Sequence, residues 1–200
     1  MTSKQYILDQ IRKNHSRSFE MPSLDTISPV QYENRLGQFI SAVEQVGGKA
    51  IIMEQEKDVD ELVRSLYPSA SVIASALPYV NSTVNPDTVN DALELNGVEV
   101  GIVEGKVAVA ENGCVWIPQT MKERAVLFIS ECLVILIDRK DIVCNMHQAY
   151  EKIENSGYGC FISGPSKTAD IAQALVMGAQ AAREVTVIVC STEDNYSICL

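Results

Sequence analysis

Basic charge is scarce in this chain, and so is any long apolar run. Sixteen Lys and Arg stand against twenty-six Asp and Glu, a formal net charge of −10 over 200 residues. Nucleic-acid affinity comes largely from cations that neutralise phosphates, so this balance argues against a nucleic-acid partner. The one basic cluster, Arg12, Lys13, His15 and Arg17, has no interleaved aromatics and reads as a solvated helix end. The longest strongly apolar run, Cys132 to Ile137, spans six residues. A membrane-spanning helix needs about 20, so no membrane insertion is expected. Residues 1–14 mix charges with isolated apolar side chains and hold no signal-peptide core. The expected location is the cytoplasm.

Metal ligands are equally thin. None of the six cysteines (Cys114, Cys132, Cys144, Cys160, Cys190 and Cys199) forms a C-x-x-C pair. The two histidines, His15 and His147, lie far apart with no ligand-spaced Cys or Asp beside them. No metal or iron–sulfur ligand set is evident, and any cofactor stays unknown. Cys132, Cys160 and Cys190 sit in apolar strand-like runs, where a thiol behaves as a small hydrophobe. Without a secretory signal, an even cysteine count gives no ground for disulfides. Trp116 reads as core or rim packing, and His147 as a partly exposed helix residue. No G-x-G-x-x-G, P-loop or G-x-S-x-G pattern is present, which disfavours dinucleotide binding, Walker-type ATP binding and serine hydrolysis.

What is present is ordinary globular composition, 46% hydrophobic and 21% charged. Two hundred residues suit one core. Residues 1–27 read as an N-terminal helical arm, with Tyr6, Ile7, Gln10 and Ile11 on one side of a short amphipathic helix. Residues 28–200 read as a single α/β domain. Ser28-Pro29-Val30-Gln31 has the pattern of a capped helix start, followed by Leu36, Phe39, Ile40, Val43 and Val46 at helical spacing and a stop at Gly47-Gly48. Ala50–Met53 reads as a strand, residues 59–66 as a helix and Ser71–Ala74 as a strand. That alternation favours parallel pairing. Leu77 to Asn90 has little periodicity and reads as a loop, either beside a site or merely connecting. Val98–Val103, Val107–Ala110 and Cys114–Ile117 are β-prone, and Asn112-Gly113 between the last two predicts a tight hairpin turn. Cys132–Ile137 reads as a strand buried on both faces. A helix from Ile142 to Ile153, a strand at Gly159–Ile162, a helix carrying Ile171, Ala172, Leu175, Val176 and Ala179, and a strand at Val185–Cys190 complete the expectation. The fold class is α/β, three-layer, with a mostly parallel sheet flanked by helices and a β-hairpin-like excursion.

Two stretches carry chemistry. Ser163-Gly164-Pro165-Ser166-Lys167-Thr168-Ala169-Asp170 is expected to pass from a strand to a helix. A helix start offers unpaired N–H groups and partial positive charge, and Ser163, Ser166, Thr168 and Lys167 add hydroxyls and a cation. Together they suit a carboxylate or phosphate. The plainer reading is capping, by Ser166 or Thr168, with Asp170 favoured in the first turn. Ala110-Glu111-Asn112-Gly113-Cys114 places a carboxylate on a tight turn, where Glu111 could act as a base or nucleophile. It could equally point into solvent or pair with Lys106 or Lys122.

These stretches resemble the lactate utilisation protein C, or LUD domain, family. Phe161-Ile162-Ser163-Gly164-Pro165-Ser166-Lys167-Thr168-Ala169-Asp170-Ile171 is similar to that family's Ser-Gly-Pro-Ser, basic residue, Thr-Ala-Asp-Ile signature. Val107–Gly113 resembles its Ala-Glu-Thr-Gly segment, with Asn112 in place of Thr, and Gly97–Ile102 fits the segment before it. Gln180-Ala181-Ala182 replaces a His-Gly-Pro-like stretch, and Glu104-Gly105-Lys106 another segment of the pattern. The resemblance spans roughly Val98 to Val189. It implies a fold like that of ribose-phosphate isomerase, glucosamine-phosphate isomerase and CoA-transferases. It also implies a role in oxidising L-lactate to pyruvate beside partner proteins that carry iron–sulfur clusters. The expected function is thus a non-redox accessory subunit in lactate or organic-acid utilisation. It would bind a small anionic metabolite at Ser163, Gly164, Pro165, Ser166, Lys167, Thr168 and Asp170, with Glu111, Asn112 and Gly113 nearby. Glu111-Asn112-Gly113 also resembles the Glu-Asn-Gly signature of class I CoA-transferases, which leaves open acyl or CoA transfer, or sugar-phosphate isomerisation, through Glu111. A third possibility is a purely structural partner of iron–sulfur proteins.

Overall fold

A computed structural model describes residues 2–15, 19–23, 27–53, 58–153, 157–168, 176–178 and 182–190. Its centre is a five-stranded, wholly parallel sheet in the order β1-β11-β6-β3-β2. The strands are β1 (Lys49–Met53), β2 (Ile73–Ala74), β3 (Val100–Glu104), β6 (Cys132–Asp138) and β11 (Glu184–Cys190). β6 and β11 pair along their whole lengths, from Glu184 opposite Cys132 to Cys190 opposite Asp138.

The apolar run in β6 is explained by two cores. Side chains alternate across a strand, so Leu133, Ile135 and Ile137 point to one face and Val134 and Leu136 to the other. The first face joins a large cluster with Phe39, Val43, Val115, Ile117, Val126 and Leu127. The second joins Val63, Val100, Ile102 and Ile188. Both faces are covered, so no position in the run can be polar without cost. Each buried aliphatic side chain contributes roughly 1.5–3 kcal/mol of transfer free energy.

Helix α3 (Val59–Leu66) covers the second face. The first face is covered by α2 (Arg35–Gln45), α4 (Val126–Ile129) and a second sheet in the order β7-β4-β5-β8. Its strands are β7 (Ile142–Val143), β4 (Val107–Val109), β5 (Val115–Pro118) and β8 (Gly159–Ile162). β4 and β5 form the antiparallel hairpin expected at Asn112-Gly113. The excursion is therefore larger than a hairpin, because β7 and β8 add to its two edges. Beyond it, α5 (Met146–Lys152) closes a third small core with Val107, Val109, Val143 and Ala149. Trp116 packs there, 5.0 Å from the Phe161 ring. Helix α1 (Ser3–Asn14) is closed by a Thr2–Gln5 capping box and buries none of its residues. Among the described residues no helix is long and apolar enough to cross a membrane.

Two helix boundaries differ from the sequence expectation. Ser28-Pro29 does not start α2; Asn34 caps it, its Oδ1 accepting from Gly37 N at 2.9 Å. The preceding segment is irregular and is tied to the rest of the fold by long-range hydrogen bonds. Val30 O accepts from Asn145 Nδ2 at 2.8 Å, and Arg35 donates to Ile142 O at 3.1 Å. Likewise Ile142 and Val143 are not helical. They form β7, paired with Ala108 and Val109, and α5 begins after Asn145. In each case a ladder or cross-chain hydrogen bond supplied partners that a helix would have supplied locally.

Candidate functional site

The β4–β5 turn places Glu111, Asn112 and Gly113 at one end of the second sheet. Asn112 Oδ1 accepts from Cys114 N at 3.1 Å, which closes the turn. Gly113 has φ +68°, and a Cβ there would stand 2.7 Å from Val43 N and 2.8 Å from the Ala42 carbonyl carbon. The turn is thus seated on the backbone of α2. Antiparallel pairing of β5 with β8 sets Ile162 opposite Val115, so the chain leaves β8 beside this turn. Ser163 Oγ then donates to the Asn112 carbonyl at 3.0 Å. The two stretches singled out in the sequence lie together. Gly164, at φ +64°, presses on the last turn of the same helix, where a Cβ would meet Val46 O at 2.6 Å.

The polar groups are already engaged. Glu111 is half-buried, and its Oε1 accepts from Met146 N at 2.9 Å, at the start of α5. It pairs with neither Lys106 nor Lys122: Lys106 meets Glu104 at 2.7 Å, and Lys122 donates to Val89 O at 2.8 Å. Lys167 Nζ donates to Val46 O, the cap of α2. A cation at a helix C-terminus complements its dipole. An ammonium has three donors, so this bond uses one of them.

The expected passage from strand to helix runs through residues 169–175, which lie outside the described residues, but its near side is extended. Lys167–Thr168 forms strand β9, antiparallel to β10 (Val176–Met177). Ser166 N donates to Ala182 O at 3.1 Å, and Ser166 O accepts from Gly178 N at 2.9 Å. The Ser166 amide, expected to face a ligand, is thus already bonded within the fold. Val176, expected on a helix, is in β10; Ile171, Ala172, Leu175 and Ala179 lie outside the described residues, as do Asp170 and the Gln180-Ala181 part of the departure from the family pattern.

Beside this turn opens a cleft of about 320 Å³. Leu127 and Phe128 of α4, Leu133 of β6, Val185 of β11 and Phe161 of β8 form its walls, with Ser163 to Lys167 at its lip. Glu111 is not part of that lining. Leu133 and Val185 sit at the amino-terminal ends of their strands. Open α/β sheets usually take ligands at the carboxyl ends.

The carboxyl ends carry residues that the sequence reading passed over. Glu104, Asp138 and Cys190 end β3, β6 and β11. Asp138 is buried and pairs with Lys140 at 2.8 Å. Burial, then Asp138 and Glu104, pushes the Cys190 thiol up to about 11. Burial and the nearby Glu104 and Cys190 also raise the Tyr79 hydroxyl. The available signal was a polar residue ending each apolar run. Elsewhere burial pushes the Cys114 thiol up to about 12. Among the described residues no group of three or more His, Cys, Asp or Glu is arranged to hold a metal ion.

Comparison with known proteins bears on the same region. The family model described as LUD domain matches residues 79–190, which include β3 to β11, the Glu111 turn and the cleft. A crystal structure of a DUF162 family protein from Deinococcus radiodurans is similar in fold. Its TM-score is 0.62 at 14% identity, over 81% of this chain and 99% of that one. No curated protein sequence matches.

Proposed function

The chain belongs to the LUD domain family, and from that premise we propose that it is a non-redox accessory subunit in lactate or related organic-acid utilisation. Family membership supports the lactate context. The finer reading is that a small carboxylate binds at the Ser163–Thr168 turn, in the cytoplasm, beside partners that carry the iron–sulfur chemistry. The observation that carries it is the Ser163 Oγ–Asn112 O bond, which joins the two polar turns at the lip of a cleft of about 320 Å³. Lys167, exposed at that lip, supplies the cation, and Ser163, Ser166 and Thr168 supply hydroxyls. Asp170 belongs to the same proposed segment.

The test is growth on L-lactate with Lys167→Ala/Thr168→Ala in place of the parent. Slowed growth at normal protein level is expected. Unimpaired growth removes this turn from the mechanism.

A second reading is acyl or CoA transfer, or sugar-phosphate isomerisation, through Glu111. It is favoured by the orientation of that carboxylate, pinned through one oxygen to Met146 N on a rigid turn. The Glu111 carboxylate would attack an acyl-CoA thioester, expelling CoA thiolate and forming a mixed anhydride; the thiolate would then attack the glutamyl carbonyl, releasing the acyl group as a free carboxylate and leaving a glutamyl-CoA thioester. Mass spectrometry after incubation with acyl-CoA decides it: an adduct on the Glu111 peptide is required. A third reading, a purely structural subunit, is favoured by the use of both Glu111 and Lys167 as helix-end partners. Co-purification with iron–sulfur proteins without small-molecule affinity would support it.

A further inference from the structure

We propose that the cleft selects monocarboxylates with an aryl or similarly bulky apolar tail, in preference to lactate itself. This rests on the reading that the Ser163–Thr168 turn takes a carboxylate, and it names which carboxylates fit.

The argument starts from size. Liquid water occupies ~30 Å³ per molecule, so a cleft of about 320 Å³ corresponds to roughly ten waters. A three-carbon acid held at the lip would leave most of that space wet. Its described lining is more apolar than polar. Leu133 and Val185 are register partners on adjacent strands and form an apolar floor. Leu127 adds to it, and Phe161 stands as one wall, held by Trp116 at 5.0 Å and Tyr150 at 5.8 Å. An aromatic ring braced by two others is preorganised to stack or meet edge-on with a ring that enters. Phe128 is 42% exposed on α4 and lines the same cleft. A half-exposed Phe at the mouth of an apolar cavity gains most from a ligand that covers it. Among the described lining residues the one cation is Lys167. One charged group at the rim of an apolar cavity is the recognition pattern for an amphipathic monocarboxylate.

The experiment is calorimetric titration of the full chain with 3-phenyllactate and with L-lactate, repeated on Phe128→Ala. Phe128 is exposed enough for its removal to leave the fold intact, which circular dichroism would verify. We expect 3-phenyllactate to bind at least tenfold tighter than L-lactate, equivalent to ~1.4 kcal/mol. Phe128→Ala should erase most of that preference by weakening 3-phenyllactate far more than L-lactate. If L-lactate binds as tightly as 3-phenyllactate, the selectivity is overturned while the carboxylate site stands. If neither binds, the carboxylate reading itself fails. If 3-phenyllactate binds equally to parent and Phe128→Ala, it is not held in this cleft, and the proposal is refuted.

Discussion

Replacing Gly113 by alanine tests how the Glu111–Gly113 turn is seated on α2. The new side chain meets two penalties. At φ +68° an alanine is held in the left-handed region, at about 1–2 kcal/mol. Its Cβ would also lie 2.7 Å from Val43 N and 2.8 Å from the Ala42 carbonyl carbon. Both atoms are helix backbone, so the clash is relieved only by moving the turn or the helix, a packing cost of about 1–3 kcal/mol. Restricting the unfolded chain returns about 0.4–1 kcal/mol. The net loss is about 2–4 kcal/mol. For a domain of this size each kcal/mol shifts the melting temperature by about 2–4 °C, so a fall on the order of 10 °C is expected. Gly97→Ala is the control. It also has positive φ, +88°, but nothing lies within 4 Å of its Cβ, so only the backbone penalty applies. Differential scanning calorimetry of both variants reads the difference. Equal melting temperatures for the two would show that the turn is not packed on α2 as described.

Three further outcomes follow from other parts of the molecule. Asn145 is buried, donates to Val30 O and accepts from Gln148 N at 3.1 Å. Asn145→Ala removes a cap and leaves a carbonyl unpaired, so urea unfolding should show a loss of about 2 kcal/mol; a loss under about 0.5 kcal/mol would contradict the assignment. Glu99 accepts from Val72 N, Ser71 N and Ser71 Oγ, which holds its carboxyl below the usual range. A carboxylate favoured in the fold stabilises it above its unfolded pKa and ceases to as pH falls through the lower folded value. Stability should therefore decline on the acid side, and Glu99→Gln should flatten that decline; an unaltered acid slope in pH-dependent urea midpoints argues against it. Cys114, with its thiol pushed up to about 12 by burial, stays protonated at pH 8 and should resist iodoacetamide in the native state. Peptide mapping that finds Cys114 alkylated as fast as in urea would refute the burial argument.

Much of the scaffold was legible because its strands are written in runs that local rules can read. Cys132–Ile137 has no polar position, and only a strand covered on both faces tolerates that. Asn112-Gly113 between two β-prone runs marked the β4–β5 hairpin, and the Gly-Pro-Ser-Lys-Thr stretch marked the second turn. The failures share one cause. Ile142-Val143 and Val176-Met177 are too short for periodicity to separate helix from strand. Each became a strand because a partner outside its own window offered a ladder: Ala108 and Val109 for the first, Thr168 and Lys167 for the second. Ser28-Pro29 failed for a related reason. Its capping pattern was intact, but the segment up to Asn34 is irregular, with Val30 O bound by Asn145 and α2 anchored through Arg35 to Ile142 O.

The sequence by itself determined an acidic α/β chain, the identity of its buried strands and the two Gly-bearing polar turns. Those properties are local: they follow from side-chain volume, alternation and the backbone freedom of particular residues. Tertiary structure alone decided that Ser163 reaches Asn112, that Lys167 ends on the cap of α2, and that the cleft lies at the amino-terminal ends of β6 and β11. Such choices depend on which distant donor meets which acceptor once both sheets have closed over their cores, and no window of neighbouring residues contains that information.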